Sequence, residues 1–443
     1  MMNFYLVIIL FIIVGNYLLD IVVETLNVRH AKTGLPEEYG GYYDPEEYKK
    51  AQNYLKENTR FEIITSTITT PITVAFILIG GFNFVDQIAR GFQFGPIPTG
   101  LIFTGILMLA SQIISIPFSA YSTFVIEEKY GFNQTTVRTF ISDTLKAWLL
   151  AAIIGGTLFA VVLWFFGKAG NLAWVYCWVV VVVFQIVLTF LAPVVILPLF
   201  NKFHPLGDGE LKAAIENYAR SQDFKMKGVF EMDASKRSTK TNAFFTGFGK
   251  FRRIVLFDTL IVKHSVDELV SILAHEVGHY KKQHIFKSIL MSITTTGLMF
   301  FLISFFINNE GLFSAFRMQN ISIYAGLIFF AFLYTPINMV ISIFSKMLSR
   351  KREYEADAYA VETHGKPESM ISALKKLTVD NLSNLTPHPL KVFLSYEHPP
   401  VLERIRAIRE AEFKGLIDCK KTIGATRLII EGQGIKWLIF ASC

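Results

Sequence analysis

Residues 273–281 read LAHEVGHYK and place three ionisable side chains within five positions. On a helix, residues four positions apart share a face, so His275 and His279 can each direct a ring nitrogen at one ion about 2.0–2.1 Å away. Glu276 is offset by one residue, where it can deprotonate a water for attack on a peptide carbonyl and then protonate the leaving amine. The spacing predicts metal-dependent hydrolysis; the alternative is a surface helix that carries polar residues by chance.

A catalytic zinc needs a third protein ligand and one open position. Residues 349–360 read SRKREYEADAYA and put Glu353 and Asp357 four positions apart on a predicted helix. We take Glu353 as the third ligand. Asp357 is better placed to accept a hydrogen bond from the second ring nitrogen of a ligand histidine, which would fix its tautomer. The alternative is a charged helix at the membrane surface that holds no metal.

The composition predicts a polytopic, mainly α-helical membrane protein, because 52% of the 443 residues are hydrophobic and only 18% are charged. Crossing the bilayer takes about 20 apolar residues as a helix. We read the first such stretch as a retained span, since no basic residue precedes it and no cleavage site follows. Seven stretches approach the required length: 4–23, 63–82, 99–120, 147–166, 172–199, 285–307 and 321–345.

The distribution of Lys and Arg predicts which loops face the cytoplasm, since cytoplasmic loops retain more of them. Residues 24–62 hold six and residues 121–146 hold three, whereas 83–98 and 167–171 hold one each. This alternation puts the N-terminus outside and the basic loops in the cytoplasm. It also puts His275 and Glu353 on one face, because two predicted spans separate them. No basic stripe interleaved with aromatic residues indicates nucleic-acid binding.

Three parts of the chain are expected: a membrane region at 1–199, a metalloprotease domain at 200–412 that includes the last two spans, and a tail at 413–443. The middle part predicts a helix near 208–222, strands near 227–233 and 252–257, and a helix that begins at Asp267 and Glu268. Helices after residue 346 should break at NLTPHP and EHPP, because proline cannot continue a helix. The cysteines are too few and scattered for a disulfide framework or a cysteine-based zinc cluster: Cys177, Cys419 and Cys443.

Several separated motifs resemble, in order, the integral-membrane CAAX prenyl endopeptidases, which are zinc metalloproteases of the gluzincin type. These motifs are HEVGH, EYEAD, IEEKYGFNQTT, PVVILPLFNKFHPL, TNAFFTGFGKFRRIVLFDTL and EHPPVLERI. The resemblance runs from about residue 35 to residue 412. It implies a ring of seven tilted helices around a water-filled chamber, with one Zn²⁺ at the cytoplasmic end. It also implies cleavage after a prenylated cysteine near the C-terminus of protein substrates.

The resemblance implies site residues as well. Glu353 falls where the family supplies its third metal ligand. Asn242 lies in the segment that resembles the family's edge strand, to which an extended substrate adds by main-chain pairing. His398 matches a histidine near the scissile carbonyl that would donate a hydrogen bond to the developing oxyanion. Locally, Asn242 could instead cap a turn, and His398 could fix the proline corner.

Two other functions remain open from the sequence. A membrane quality-control zinc protease would show the same HExxH and ExxxD patterns, although IEEKYGFNQ and NKFHPL favour the prenyl protease. A polytopic transporter would place its ionisable groups near the bilayer midplane, whereas this chain clusters them at the membrane surface. Lipidated or membrane-associated proteins and membrane lipids are the expected partners. The host membrane is the endoplasmic reticulum or a bacterial inner membrane, and the sequence carries no signal for the oligomeric state.

Overall fold

The fold is dominated by helices, and the computed structural model describes residues 3–246 and 252–412. The predicted tail at 413–443, with Cys419 and Cys443, lies outside those residues. A helical segment at 401–412 ends the described part. The helices before it are α1 (Phe4–His30), α2 (Pro45–Leu78), α3 (Gly81–Gly91), α4 (Pro96–Tyr121), α5 (Val137–Leu150), α6 (Gly156–Lys168), α7 (Ala173–Leu191), α8 (Glu210–Ser221), α9 (Asp258–Lys263), α10 (Val266–Lys281), α11 (His284–Phe306), α12 (Glu310–Ala315), α13 (Ile323–His364), α14 (Pro367–Asp380) and α15 (Pro389–Ser395).

Seven helical stretches in the described residues are long and apolar enough to cross a membrane, which confirms the predicted number. Short π-helical turns extend α4 and α7 and join α5 to α6. Within the most apolar window of each stretch, between 0% and 22% of the residues are buried. Helices packed around a solid centre would bury more, so this low burial agrees with a ring around an open interior.

Two of the predicted spans end at different residues from the helices of the structure. The second was expected to reach residue 82, but α2 ends at Leu78 because Gly80 adopts a left-handed conformation, φ 81°, which redirects the chain into α3. The seventh was expected to be followed by a separate helix carrying Glu353. Instead, α13 runs unbroken from Ile323 to His364, since no glycine or proline interrupts the charged segment beyond the apolar part.

A mixed sheet of four strands supports one side of the site: β1 (Phe203–Pro205), β2 (Gly228–Met232), β3 (Ala243–Thr246) and β4 (Arg253–Phe257). Its order is β1-β2-β4-β3, with β2 and β4 parallel and the outer strands antiparallel to their neighbours. The two predicted strands are confirmed as β2 and β4. The strand patterns missed β1, which is three residues long and ends on a proline, a residue confined to sheet edges. They also missed β3; the edge strand that the resemblance implied lies there, but it begins one residue after Asn242.

Helix α10 carries the HEVGH motif, and its position depends on its first turn and on its apolar side. Ser265 and Glu268 form a reciprocal capping box at its start, which satisfies two backbone N–H groups of the first turn. Its apolar side, including Leu269 and Leu273, packs with Ile254 and Leu256 of β4 in one buried cluster. A second buried cluster, rich in phenylalanine and including Phe329, lies toward the start of α13. Glu353 is 24 residues further along α13, about 36 Å at 1.5 Å per residue.

Candidate metal centre

Three predicted ligands converge where α10 lies against α13. The Nε2 atoms of His275 and His279 are 3.1 Å apart. Glu353 reaches both, with Oε2 at 3.4 Å from His275 Nε2 and Oε1 at 3.2 Å from His279 Nε2. One ligand atom from each of the three residues lies within 4.8 Å of the others. The chain has therefore folded so that residues 78 positions apart face one point.

These separations fit a zinc ion. Ligands at 2.0–2.1 Å in a tetrahedron are about 3.3 Å from one another, close to all three observed distances. Oε2 of Glu353 is buried and lacks a hydrogen-bond partner among the described residues, so a cation would satisfy it. Burial lowers the pKa of His275, but the neighbouring carboxylates of Asp357 and Glu353 raise it by more, to about 9. The site thus favours positive charge.

His275 is fixed from behind by a buried carboxylate. Its Nδ1 lies 2.8 Å from Oδ1 of Asp357, the partner that the sequence predicted. Arg404 donates to both oxygens of Asp357, at 2.8 Å from Nε and 2.6 Å from the terminal nitrogen. Asp357 keeps the Nδ1 proton on His275, which leaves the Nε2 lone pair free for a metal. Arg404 had been part of a quoted motif, but its role depends on burial, which no sequence pattern revealed.

His279 is held by a different chain of groups, and the sequence analysis missed it. Its Nδ1 is 3.0 Å from Nδ1 of His284, and Nε2 of His284 is 3.0 Å from Oε2 of Glu355. His284 is only 3% exposed. Gln283 has a left-handed backbone, φ 58°, which ends α10 and turns His284 back toward His279. The sequence does contain a signal for this residue: His284 is a third histidine, five positions after His279, at the end of the stretch HEVGHYKKQH.

Glu276 lies beside the ligand triad and shares two cavities with its members. One cavity of about 130 Å³ is lined by His275, Glu276 and Glu353. A second of about 460 Å³ is lined by Glu276 and His279 together with residues of the membrane helices, including Gln185. Burial raises the pKa of Glu276 above the ordinary carboxyl value, although both imidazoles oppose the shift. The carboxylate is placed to exchange a proton with a group in either cavity.

His398 and Asn242 lie at the rim of the smaller cavity. His398 is mostly exposed, with Nε2 3.6 Å from Oε2 of Glu353, so its ring faces the metal centre from the solvent side. Asn242 precedes β3, and its side-chain oxygen accepts a hydrogen bond from the N–H of Ala243 at 2.9 Å. This local contact is the turn cap considered from sequence. In the described residues its NH₂ group has no protein partner, so it stays available to a substrate.

Comparison with known proteins gives two family matches that together span most of the chain. Residues 24–202 match the CAAX prenyl protease N-terminal region with its five membrane helices, and residues 205–412 match peptidase family M48. A CAAX prenyl protease 1 homolog of Arabidopsis thaliana is 35% identical over 84% of this chain and 90% of its own length. The human homolog is 33% identical over 85% and 89%. The crystal structure of S. mikatae Ste24p superposes with a TM-score of 0.87 at 32% identity, over 91% of this chain and 99% of that one.

Proposed function

Because this chain belongs to peptidase family M48 and carries the five-helix N-terminal region of the CAAX prenyl proteases, we propose that it is a membrane zinc endopeptidase. Its substrates in this proposal are prenylated proteins, which it cleaves after the lipidated cysteine of a C-terminal C-a-a-X sequence. One observation supports this most directly. The nitrogens of His275 and His279 and the carboxylate of Glu353 converge within 4.8 Å of one another. His275 and Glu353 share a cavity with Glu276 and with the first residue of the edge strand β3.

In this proposal His275, His279 and Glu353 would hold one Zn²⁺. When bound, the ion supplies a Lewis acid that polarises the scissile carbonyl and lowers the pKa of water. Glu276 accepts a proton from the attacking water and later donates it to the leaving nitrogen. His398 donates a hydrogen bond to the oxygen on which negative charge develops. Asp357 and Arg404 keep His275 in the required tautomer throughout.

Substrate direction follows from the edge strand. Because β3 lies at the edge of the sheet, an extended peptide can pair with its main chain. Antiparallel pairing puts the C-terminal side of the substrate at Asn242 and its N-terminal side at Phe245. The cavity at Asn242, about 130 Å³, has an apolar part that includes Leu260 and Leu374, with room for one aliphatic side chain, as C-a-a-X requires. The cavity at Phe245, about 460 Å³, opens among membrane helices and suits a lipid chain.

The alternation of Lys and Arg supports a metal centre on the cytoplasmic side of the membrane, which is where prenylated proteins reside. The same alternation supports the assignment of residues 24–62 to the cytoplasm. A broad-specificity quality-control protease is the second candidate function. It shares the metal chemistry, and it differs in having no need for a lipid on its substrate.

The test is cleavage of a farnesylated peptide and its unmodified counterpart by the purified full-length protein in detergent. Glu276→Gln should lose about 10²–10⁴-fold in rate while keeping its zinc, since one proton-transfer group is removed and no ligand is changed. Glu362→Gln, on the exposed side of α13, is the matched control and should cleave normally. Cleavage by Glu276→Gln at the wild-type rate would remove Glu276 from the mechanism. Equal cleavage of both peptides would favour the quality-control function.

A further inference from the structure

An open groove of about 880 Å³ runs along the N-terminal half of α2, and none of the residues assigned to the metal centre lines it. One wall is a continuous face of α2 from Glu46 to Ile64. The other wall is formed by Tyr121 and by the π-helical turn and helix end that follow, up to Tyr130. No segment of the described chain fills it. Nothing in the proposed peptidase mechanism uses this groove.

The groove changes from cationic to apolar along the helix axis. Lys56, Arg60 and Ile64 recur every four residues and therefore lie on one face of α2. The rise from Lys56 to Ile64 is about 12 Å. Phe61 stacks on Tyr121 at the apolar end, with ring centroids 5.1 Å apart. Because α2 is one of the membrane-crossing helices, the apolar end points toward bilayer depth and the cationic end toward the membrane surface.

The cationic end has more positive charge than its own carboxylates neutralise. Lys129 pairs with Glu57 at 2.7 Å and Lys49 with Glu46 at 3.6 Å. Three other cations line the groove without an ion-pair partner among residues 3–246 and 252–412: Lys50, Lys56 and Arg60. All three are exposed. An anion entering the groove would therefore not have to displace an existing ion pair.

We propose that this groove binds one anionic phospholipid, with the phosphate between Lys56 and Arg60 and an acyl chain along Ile64 and Tyr121. A phospholipid has the same order of groups along its length, charge first and hydrocarbon after. A soluble phosphate would use the cations and leave the apolar end uncovered. An acidic peptide would gain nothing from a site whose far end lies in the bilayer.

A network of hydrogen bonds and one ion pair next to the groove leads from α2 to the substrate strand. Tyr54 of α2 donates to Glu127 at 2.5 Å. Lys240 reaches both, 2.9 Å from the Tyr54 hydroxyl and 2.9 Å from a Glu127 oxygen. Lys240 lies two residues before Asn242. The lipid site and the metal centre are therefore on the same side of the membrane, and a bound lipid would brace the helices that anchor this strand.

The experiment titrates the purified full-length protein in neutral detergent with dioctanoyl phosphatidylserine, dioctanoyl phosphatidylcholine or inorganic phosphate, and counts bound molecules by native mass spectrometry. Wild-type protein should bind one phosphatidylserine at least tenfold more tightly than phosphatidylcholine. Lys56→Gln combined with Arg60→Gln should weaken phosphatidylserine binding about tenfold or more, since each basic residue near an anionic surface contributes roughly 1 kcal/mol, or about fivefold. Ile64→Asn should weaken binding of the lipid and leave that of inorganic phosphate unchanged.

The matched control is Arg138→Gln combined with Lys227→Gln, which removes two exposed cations that lie outside the groove and have no ion-pair partner in the part of the chain that the structure describes. Basic loops attract anionic lipids without any specific site. If that diffuse attraction were the cause of binding, both double variants would lose the same affinity for phosphatidylserine. That result would overturn the proposal. Equal wild-type affinity for the two lipids would also overturn it, as would inorganic phosphate binding as tightly as phosphatidylserine. If the groove variant does not fold, the wild-type lipid comparison and Ile64→Asn still decide the matter.

Discussion

Replacing His284 by leucine should weaken zinc binding without touching a ligand. His284 is the group that receives a hydrogen bond from His279 Nδ1, at 3.0 Å, and it is held in turn by Glu355. Leucine removes that acceptor, so the His279 ring loses its fixed orientation and tautomer. Loss of such an outer partner typically lowers metal affinity 10–100-fold, or about 1.4–2.7 kcal/mol.

The solvent exposure of each ligand histidine determines how much zinc affinity should be lost when its hydrogen-bond partner is replaced. The His279 side chain is 22% exposed, so water can partly replace His284, and we expect a loss of about tenfold. The His275 side chain is only 10% exposed, so Asp357→Asn should cost closer to a hundredfold. Glu355→Gln keeps an acceptor for His284 and should have the smallest effect.

The assay is equilibrium competition for zinc between each variant and a chelator of known affinity, followed by thermal unfolding of the metal-free proteins. His364→Leu is the matched control, because His364 is a partly buried histidine on α13 that contacts Tyr218 and not the metal centre. His284→Leu should unfold at the same temperature as the wild type once zinc is removed from both. If it binds zinc as tightly as the wild type does, the hydrogen bond to His279 contributes nothing to the metal site.

Three further predictions concern the same domain. Glu353→Ala should reduce bound zinc well below one per chain by metal analysis, and full occupancy would reassign the third ligand. Gly278→Val should lower both zinc content and melting temperature, because a Cβ at Gly278 would lie 3.1 Å from the Ala356 backbone and push α13 away from α10. Burial raises the pKa of Glu268, but Lys376 and Ser372 lower it by more, so it lies below its ordinary 4.5. The stability that Glu268 contributes is complete above that pH and lost as pH falls through the folded pKa. The melting temperature of the wild type should therefore drop more steeply on acidification below 4.5 than that of Glu268→Gln.

Sequence patterns were sufficient to predict the structure where it depends on interactions between residues close together in the chain. A run of apolar residues needs a membrane whatever its neighbours do, so the seven spans were predicted and their number was confirmed. The helical period places His275 beside His279, and Glu353 beside Asp357, without knowledge of the fold. The errors were also local in origin. Gly80 ended α2 earlier than hydropathy suggested, and a three-residue strand left no alternating pattern to detect.

The amino-acid sequence by itself therefore determined two half-sites, a pair of histidines on one helix and a pair of carboxylates on another. Only the tertiary structure decided that they meet. His275 and Asp357 are 82 residues apart, and their 2.8 Å contact depends on α10 and α13 approaching closely at Gly278 and Ala356. The same is true of His284, which the left-handed turn at Gln283 aims at His279, and of Arg404, which has to be buried to hold Asp357. Helical periodicity fixes neighbours within a helix, whereas packing between helices fixes neighbours distant in the chain.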